Sequence, residues 1–279
     1  MNVIPESGFL LAQGQAPTTK AVLGVTLKLL IATCWCSAAI FGVYILAFYG
    51  ASIPRDTMAR WNDHLPSLYE SSTPLATATI GTHFLTGALL LVLGPVQLVS
   101  ELRRRWPSVH RWLGRLYVVS SGVTGLGGLG FILAKGTVGG PVMNVGFAFY
   151  GVLMVVAAVE TFRQGYARRL PQHRAWGIRL FALVIGSWLY RIEYGFWLPL
   201  THSLGHTHSF TGFFDHFMSF FFYVPNLVIA EIYIHTNGTH RPAVRLTLAM
   251  VFLLGAAMTA ISTFYFTRGY WGPGILAAL

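Results

Sequence analysis

The sequence predicts an all-α fold: a bundle of seven membrane-spanning helices, read as a single membrane domain over residues 1–279. Three observations predict it. Hydrophobic residues make up 54% of the 279 and charged residues 10%, with a mean hydropathy of +0.58. A soluble domain carries about 25% charged residues, so this chain has too few to cover a water-facing surface. Seven apolar stretches, at about 23–48, 75–99, 113–134, 142–162, 176–199, 213–234 and 246–267, reach the roughly 20 residues a span needs. Lysine and arginine also alternate between successive loops, the bias that fixes orientation on insertion.

With the N-terminus placed in the cytoplasm, fourteen Lys and Arg fall inside. Four fall outside (Arg55, Arg60, Lys135 and Arg268), and Arg191 lies within the fifth span. The expected orientation is therefore N-terminus cytoplasmic and C-terminus outside, in a bacterial inner membrane. The formal charge of +10 then reads as cytoplasmic anchoring with contacts to anionic lipid head groups. It does not read as a nucleic-acid surface, which would need a basic polar face.

In chain order, the first apolar run is too long for a signal-peptide core and reads as a retained span. Its Cys34 and Cys36 point about 200° apart on a helix and cannot readily bridge. On the second span His83, Gly87, Gly94, Gln97 and Glu101 form a small and polar stripe, with a bend at Pro95. A basic turn, Arg103 to Tyr117, runs into the third span, where His110, Gly114, Tyr117, Ser121, Thr124 and Gly128 share one helical face. The glycine run Gly125–Gly130 lies inside that span, where close helix packing is its expected role. A short turn over 135–141 leads to the fourth span. A second basic turn, Arg168 to Arg179, leads to the fifth, on which His173, Ser187 and Arg191 fall on one face. Arg191 either snorkels outward or acts as an internal cation. Glu193, two residues on, faces elsewhere, and Glu231 on the sixth span is expected to snorkel. His216, Ser219, Tyr223, Asn226, Ala230 and Tyr233 form one face of the sixth span. Asn237-Gly238-Thr239 falls in a predicted cytoplasmic loop and reads as a turn.

The two basic turns share a layout: an arginine cluster, Pro, His-Arg, then Gly and a further Arg. Aligning His110 with His173 makes spans two and three correspond to spans four and five, a parallel helical-hairpin repeat. Thr82-His83-Phe84, Gly87, Gly94 and Gln97, the run His110-Arg111-Trp112-Leu113-Gly114-Arg115-Leu116-Tyr117, and His173-Arg174-Ala175-Trp176 with Arg179 and Arg191 resemble a family of predicted bacterial membrane proteins. That family is the uncharacterised domain of unknown function 2306. The resemblance covers about residues 75–200 and implies a multi-pass membrane fold. It implies no particular activity.

Motifs of soluble chemistry, such as a phosphate-binding loop, a dinucleotide fingerprint or HExxH, do not occur. Whether the chain is an enzyme is left open. Four histidines on four spans suggest an inner pair, His110 and His173, and an outer pair, His83 and His216. This layout is that of a b-type haem protein moving electrons across the membrane, with haem b as cofactor and Arg111, Arg115, Arg174 and Arg179 pairing with propionates. The alternatives are a proton-coupled small-molecule transporter using the polar stripes and Arg191, or a scaffold subunit without chemistry of its own. In the outer loop His202, His206 and His208 are candidate metal ligands, against a simple solvated loop.

Overall fold

The computed structural model describes residues 16–63, 67–235 and 242–278, and every long element among them is helical. The Asn237-Gly238-Thr239 turn lies outside the described residues. The helices are α1 (Ala16–Tyr44), α2 (Pro74–Leu98), α3 (Ser100–Arg105), α4 (Pro107–Lys135), α5 (Gly140–Tyr166), α6 (Leu170–Val184), α7 (Gly186–Thr201), α8 (Phe213–Phe221), α9 (Val224–His235), α10 (Pro242–Phe266) and α11 (Gly272–Leu276). Seven segments are long and apolar enough to cross a membrane: Thr19–Gly50, Pro74–Gln97, Pro107–Lys135, Gly140–Tyr166, Leu170–Thr201, Phe213–His235 and Pro242–Leu276. Each of the seven predicted stretches falls within or against one of them. The protein is an integral membrane protein of seven apolar helices.

Spans three and five begin earlier than hydropathy suggests. Their first turns, Pro107-Ser108-Val109-His110 and Leu170-Pro171-Gln172-His173, are already helical, each with Pro in the first two positions. Proline there sacrifices no helical hydrogen bond, because the first amides of a helix have no intrahelical acceptor.

Among the described residues four irregularities interrupt the spans; two are a break in span six at Phe222 and Tyr223 and a π-helical turn, Thr267–Trp271, in span seven. Span one ends in a π-helical turn, Ile45–Gly50, where Ala51 N–H reaches back five residues to Leu46 O at 2.9 Å. Span five is interrupted at Ile185, and the break changes its partners. The half before it, α6, packs on α5 and α9, whereas the half after it, α7, packs on α10. The remaining packing joins α2 to α4, α4 to α5, α1 to both α2 and α10, and α8 to α5.

Two apolar cores result. One gathers Phe41, Phe48, Trp61, Phe84, Trp188 and Trp271 around α1, α2 and α7. The other gathers Leu90, Tyr150, Met154, Leu183, Phe214 and Phe222 around α4–α6 and α8. Lipid tails compete for apolar contacts, so hydrogen bonds also hold the helices together. Ser37 is one such joint, accepting from Trp188 Nε1 at 3.0 Å and from Thr263 Oγ1 at 2.6 Å, which ties α1 to α7 and α10.

Candidate functional site

Where the two cores meet, five spans leave a cavity of about 30 Å³, room for one or two waters. Its polar wall is His83 from α2, Thr124 from α4, Tyr150 from α5, and Ser187 and Arg191 from α7. These residues share a depth. At 1.5 Å per residue, His83, Thr124 and Arg191 lie about 13–17 Å from the ends of their helices at the face opposite the arginine-rich turns. Two of the four irregularities touch the cavity: Ile45 opens the π-turn of span one and Ser187 follows the break in span five, whereas those of spans six and seven do not line it. π-Turns and broken spans are tolerated at membrane depth where they border such an interior space.

His83 Nδ1 lies 2.9 Å from the carbonyl oxygen of Thr124. A carbonyl only accepts, so Nδ1 carries the proton and donates, which leaves Nε2 of the neutral ring as a lone pair. The close approach depends on the glycine run: a Cβ on Gly127 would lie 2.8 Å from Thr79 O and 3.1 Å from His83 N. Arg191 turns inward. Its guanidinium lies 4.7 Å from the centre of the Phe41 ring, and Nη1–H donates to Ser187 O at 2.7 Å. Among the described residues no carboxylate lies within ion-pair distance of it. Glu193 points elsewhere and leaves its own Oε2 buried without a partner.

At the basic end His110 and His173 each occupy the fourth residue of a helix and lie within electrostatic reach of one another. His173 Nδ1 donates to Thr161 O on α5 at 2.8 Å. His110 Nδ1, Gln97 Nε2 and Tyr117 OH are buried without hydrogen-bond partners among the described residues. Gln97 lies against Gly114 and Tyr117 against Gly94, and Tyr117 is within electrostatic reach of Tyr150 on the cavity wall.

The predicted arginines divide. Arg111, Arg115 and Arg174 are exposed; Arg111 bonds Ser108 Oγ at 3.0 Å and Arg115 stacks on Trp112. Arg179 instead clasps Glu231 with two hydrogen bonds and stacks on Trp176. Glu231 therefore does not simply snorkel; it is held by span five. His216 is half-buried on α8, whose main neighbours are α5 and α9, and it does not line the cavity beside His83. Along the same span Ser219 and Tyr223 are buried, Asn226 is half-buried, and Tyr233 is exposed.

His202, His206 and His208 do not converge: among the described residues no group of three or more His, Cys, Asp or Glu side chains is placed to hold a metal. His206 turns inward to Asp215 at 2.7 Å while His202 and His208 stay exposed. Asp215, at 0% exposure, also accepts from Tyr194 OH at 2.7 Å and from the amides of Thr207 and Gly212 at 3.0 Å each. Tyr190 OH continues the chain to Tyr194 OH at 3.2 Å, and Tyr190 lies within reach of the Arg191 charge. The sequence reading missed this network. Its one available signal was an acidic residue in the first turn of a helix, a favoured partner for free amides.

A profile of the family described as "Predicted membrane protein (DUF2306)" matches residues 80–234, more than half of the chain. The chain belongs to this family. The matched region contains His83, Thr124, Tyr150, Arg191 and the Asp215 network, so most of the cavity wall lies in the family's own part of the chain; Phe41 and Ile45 of span one lie outside it. No curated protein and no solved structure matches the chain.

Proposed function

We propose that this DUF2306 protein is a proton-coupled carrier that moves a small solute across the membrane. The observation that carries the reading is Arg191, a cation inside the bundle with no carboxylate partner among the described residues, on the wall of a cavity built from five spans. An ionisable group at this depth is costly to insert, and such groups mark solute and proton pathways. Proton coupling rests on the groups beside it. His83 offers one free lone pair, and the chain from Tyr190 through Tyr194 and Asp215 to His206 links the Arg191 side to the outer loop. The arginine-rich turns face the cytoplasm of a bacterial inner membrane and contact anionic lipid.

The test is reconstitution in liposomes that enclose a pH-sensitive dye. Imposed solute gradients should drive a change in internal pH that is lost in His83→Gln. A folded, inserted protein that moves no proton under any gradient would remove the reading.

A second reading, a b-type haem electron carrier, is favoured by one observation: His83 and His173 each present Nε2 because a main-chain carbonyl holds Nδ1–H. Axial histidines are anchored in this way. The cavity beside His83 is far smaller than the several hundred Å³ of a cofactor pocket, and His216 is not across it. The haem site would then be His110 with His173, and Arg111, Arg115 and Arg174 remain unpaired with carboxylates for propionates, while Arg179 is engaged by Glu231. The group would supply one-electron chemistry, and these residues would hold and orient it. A colourless, folded preparation from haem-replete cells would exclude it.

A further inference from the structure

We infer that the cavity between the two apolar cores is a binding site for one small monovalent anion, held by Arg191 and accompanied by a proton on His83. The inference rests on the carrier reading and names the class of its solute.

The first ground is unmet donor capacity. A guanidinium has five N–H donors, and among the described residues Arg191 makes a single hydrogen bond, to Ser187 O. No carboxylate among the described residues pairs with the cation. Among the same residues, the titratable groups that line the cavity besides Arg191 are His83 on α2 and Tyr150 on α5, and Tyr44, Tyr49 and Tyr190 lie within reach of its charge. None is a carboxylate. Phe41 covers one face of the guanidinium, which leaves its edge as the polar surface, the part that binds planar or spherical anions.

The second ground is size. A cavity of about 30 Å³ takes a halide, formate or nitrate; it excludes phosphate esters and dicarboxylates, which need room for many more atoms.

The third is His83. His83 lines the cavity; with Nδ1–H committed to Thr124 O, the neutral ring has only a lone pair on Nε2, which repels an anion. One proton on Nε2 reverses this, because the ring then donates while keeping its bond to Thr124. Anion and proton therefore enter together: the proton binds Nε2, the anion sits between imidazolium and guanidinium, and no covalent bond of the solute changes.

The test is binding by the purified full-length protein in detergent, with no vesicle involved. Thermal unfolding is followed at constant ionic strength with formate, nitrate, bromide or gluconate as the anion, at two pH values. Formate, nitrate or bromide should raise the unfolding temperature relative to gluconate, and more so at the lower pH. Arg191→Gln should weaken the apparent affinity by roughly tenfold or more, the loss of a charge-assisted contact. His83→Gln should retain anion binding and lose its pH dependence. Exposed Arg163→Gln should behave as wild type. If Arg191→Gln does not fold, the wild-type series, Arg191→Lys and His83→Gln decide the question. Equal unfolding temperatures in all anions overturn the inference. Proton flux in liposomes without anion binding here would overturn the inference alone and leave the carrier reading in place.

Discussion

His83 Nδ1 on α2 donates to the main-chain carbonyl of Thr124 on α4, and this one bond decides which nitrogen of this cavity-lining ring carries the proton. It exists because α2 and α4 approach closely at Gly127 and Gly128, where any side chain would meet Thr79 or His83. Gly127→Ala should therefore destabilise the protein by about 1–3 kcal/mol, the usual range for overpacking. The nearest obstacle is backbone, which cannot rotate away as a side chain would. Thermal unfolding in detergent measures this; an unchanged unfolding temperature would mean that the helices are not in contact there.

The spans were legible because a bilayer imposes length and apolarity that composition alone reveals. The close-packing role of Gly125–Gly130 was legible for the same kind of reason, since small residues inside a span have few other uses. The direction of Arg191 was not. Hydropathy places it on a span but does not say whether a long side chain leaves the bundle or enters it, and here the cavity and Phe41 decide. His216 was misleading in a similar way: one histidine per span suggests pairs, but pairing depends on which helices are neighbours, and α8 lies against α5 and α9 instead of α2. The Asp215 network joins residues of α7, α8 and the loop between them, and no local pattern announces such a meeting.

Asp215→Ala should cost about 3–5 kcal/mol, the range for breaking a buried charged network by removing one partner. Four donors, from Tyr194, His206, Thr207 and Gly212, lose their acceptor together. The loop from His202 to Gly212 should then lose hydrogen-exchange protection before the spans do. A stability loss spread evenly over the whole chain, with the loop still protected, would contradict the network's role as the loop's anchor.

Glu70 gives a pH dependence outside the spans. Hydrogen bonding from Lys135 and Ser67 holds its carboxyl below the ordinary 4.5, and Lys135 Nζ lies 2.7 Å from Glu70 Oε1 while also bonding Ser67 O. A carboxyl depressed on folding adds stability that is fully present above the ordinary value and lost as pH falls through the depressed one. The stability difference between wild type and Glu70→Gln should thus be constant near neutrality and shrink in acid. A difference that stays flat down to about pH 3 would show that the pair adds nothing.

Orientation is open to a direct check. The rule that sorts Lys and Arg during insertion predicts that the basic turns at Arg103–Arg105 and Arg168–Arg169 lie in the cytoplasm. Reporter fusions at Gly139 and Leu279 should both be active outside. A cytoplasmic signal at either would break the alternation of the seven spans.

Arg179 and Glu231 couple span five to span six at the basic end, and their contributions should be unequal. Arg179 is about one-fifth exposed, Glu231 about two-fifths. Solvent screens such a pair, so a double-mutant cycle should return a coupling of about 1 kcal/mol or less. Arg179→Ala should nevertheless cost more than Glu231→Ala, because it also removes the stacking on Trp176 at 4.7 Å, worth about 0.5–1 kcal/mol at a partly exposed site. Arg179→Lys separates the two effects: it keeps the charge but gives up the two-pronged grip and the planar stack, so it should behave more like Arg179→Ala than like wild type. If lysine restores full stability, charge alone joins the spans at this point and the stacked, two-bond geometry is incidental.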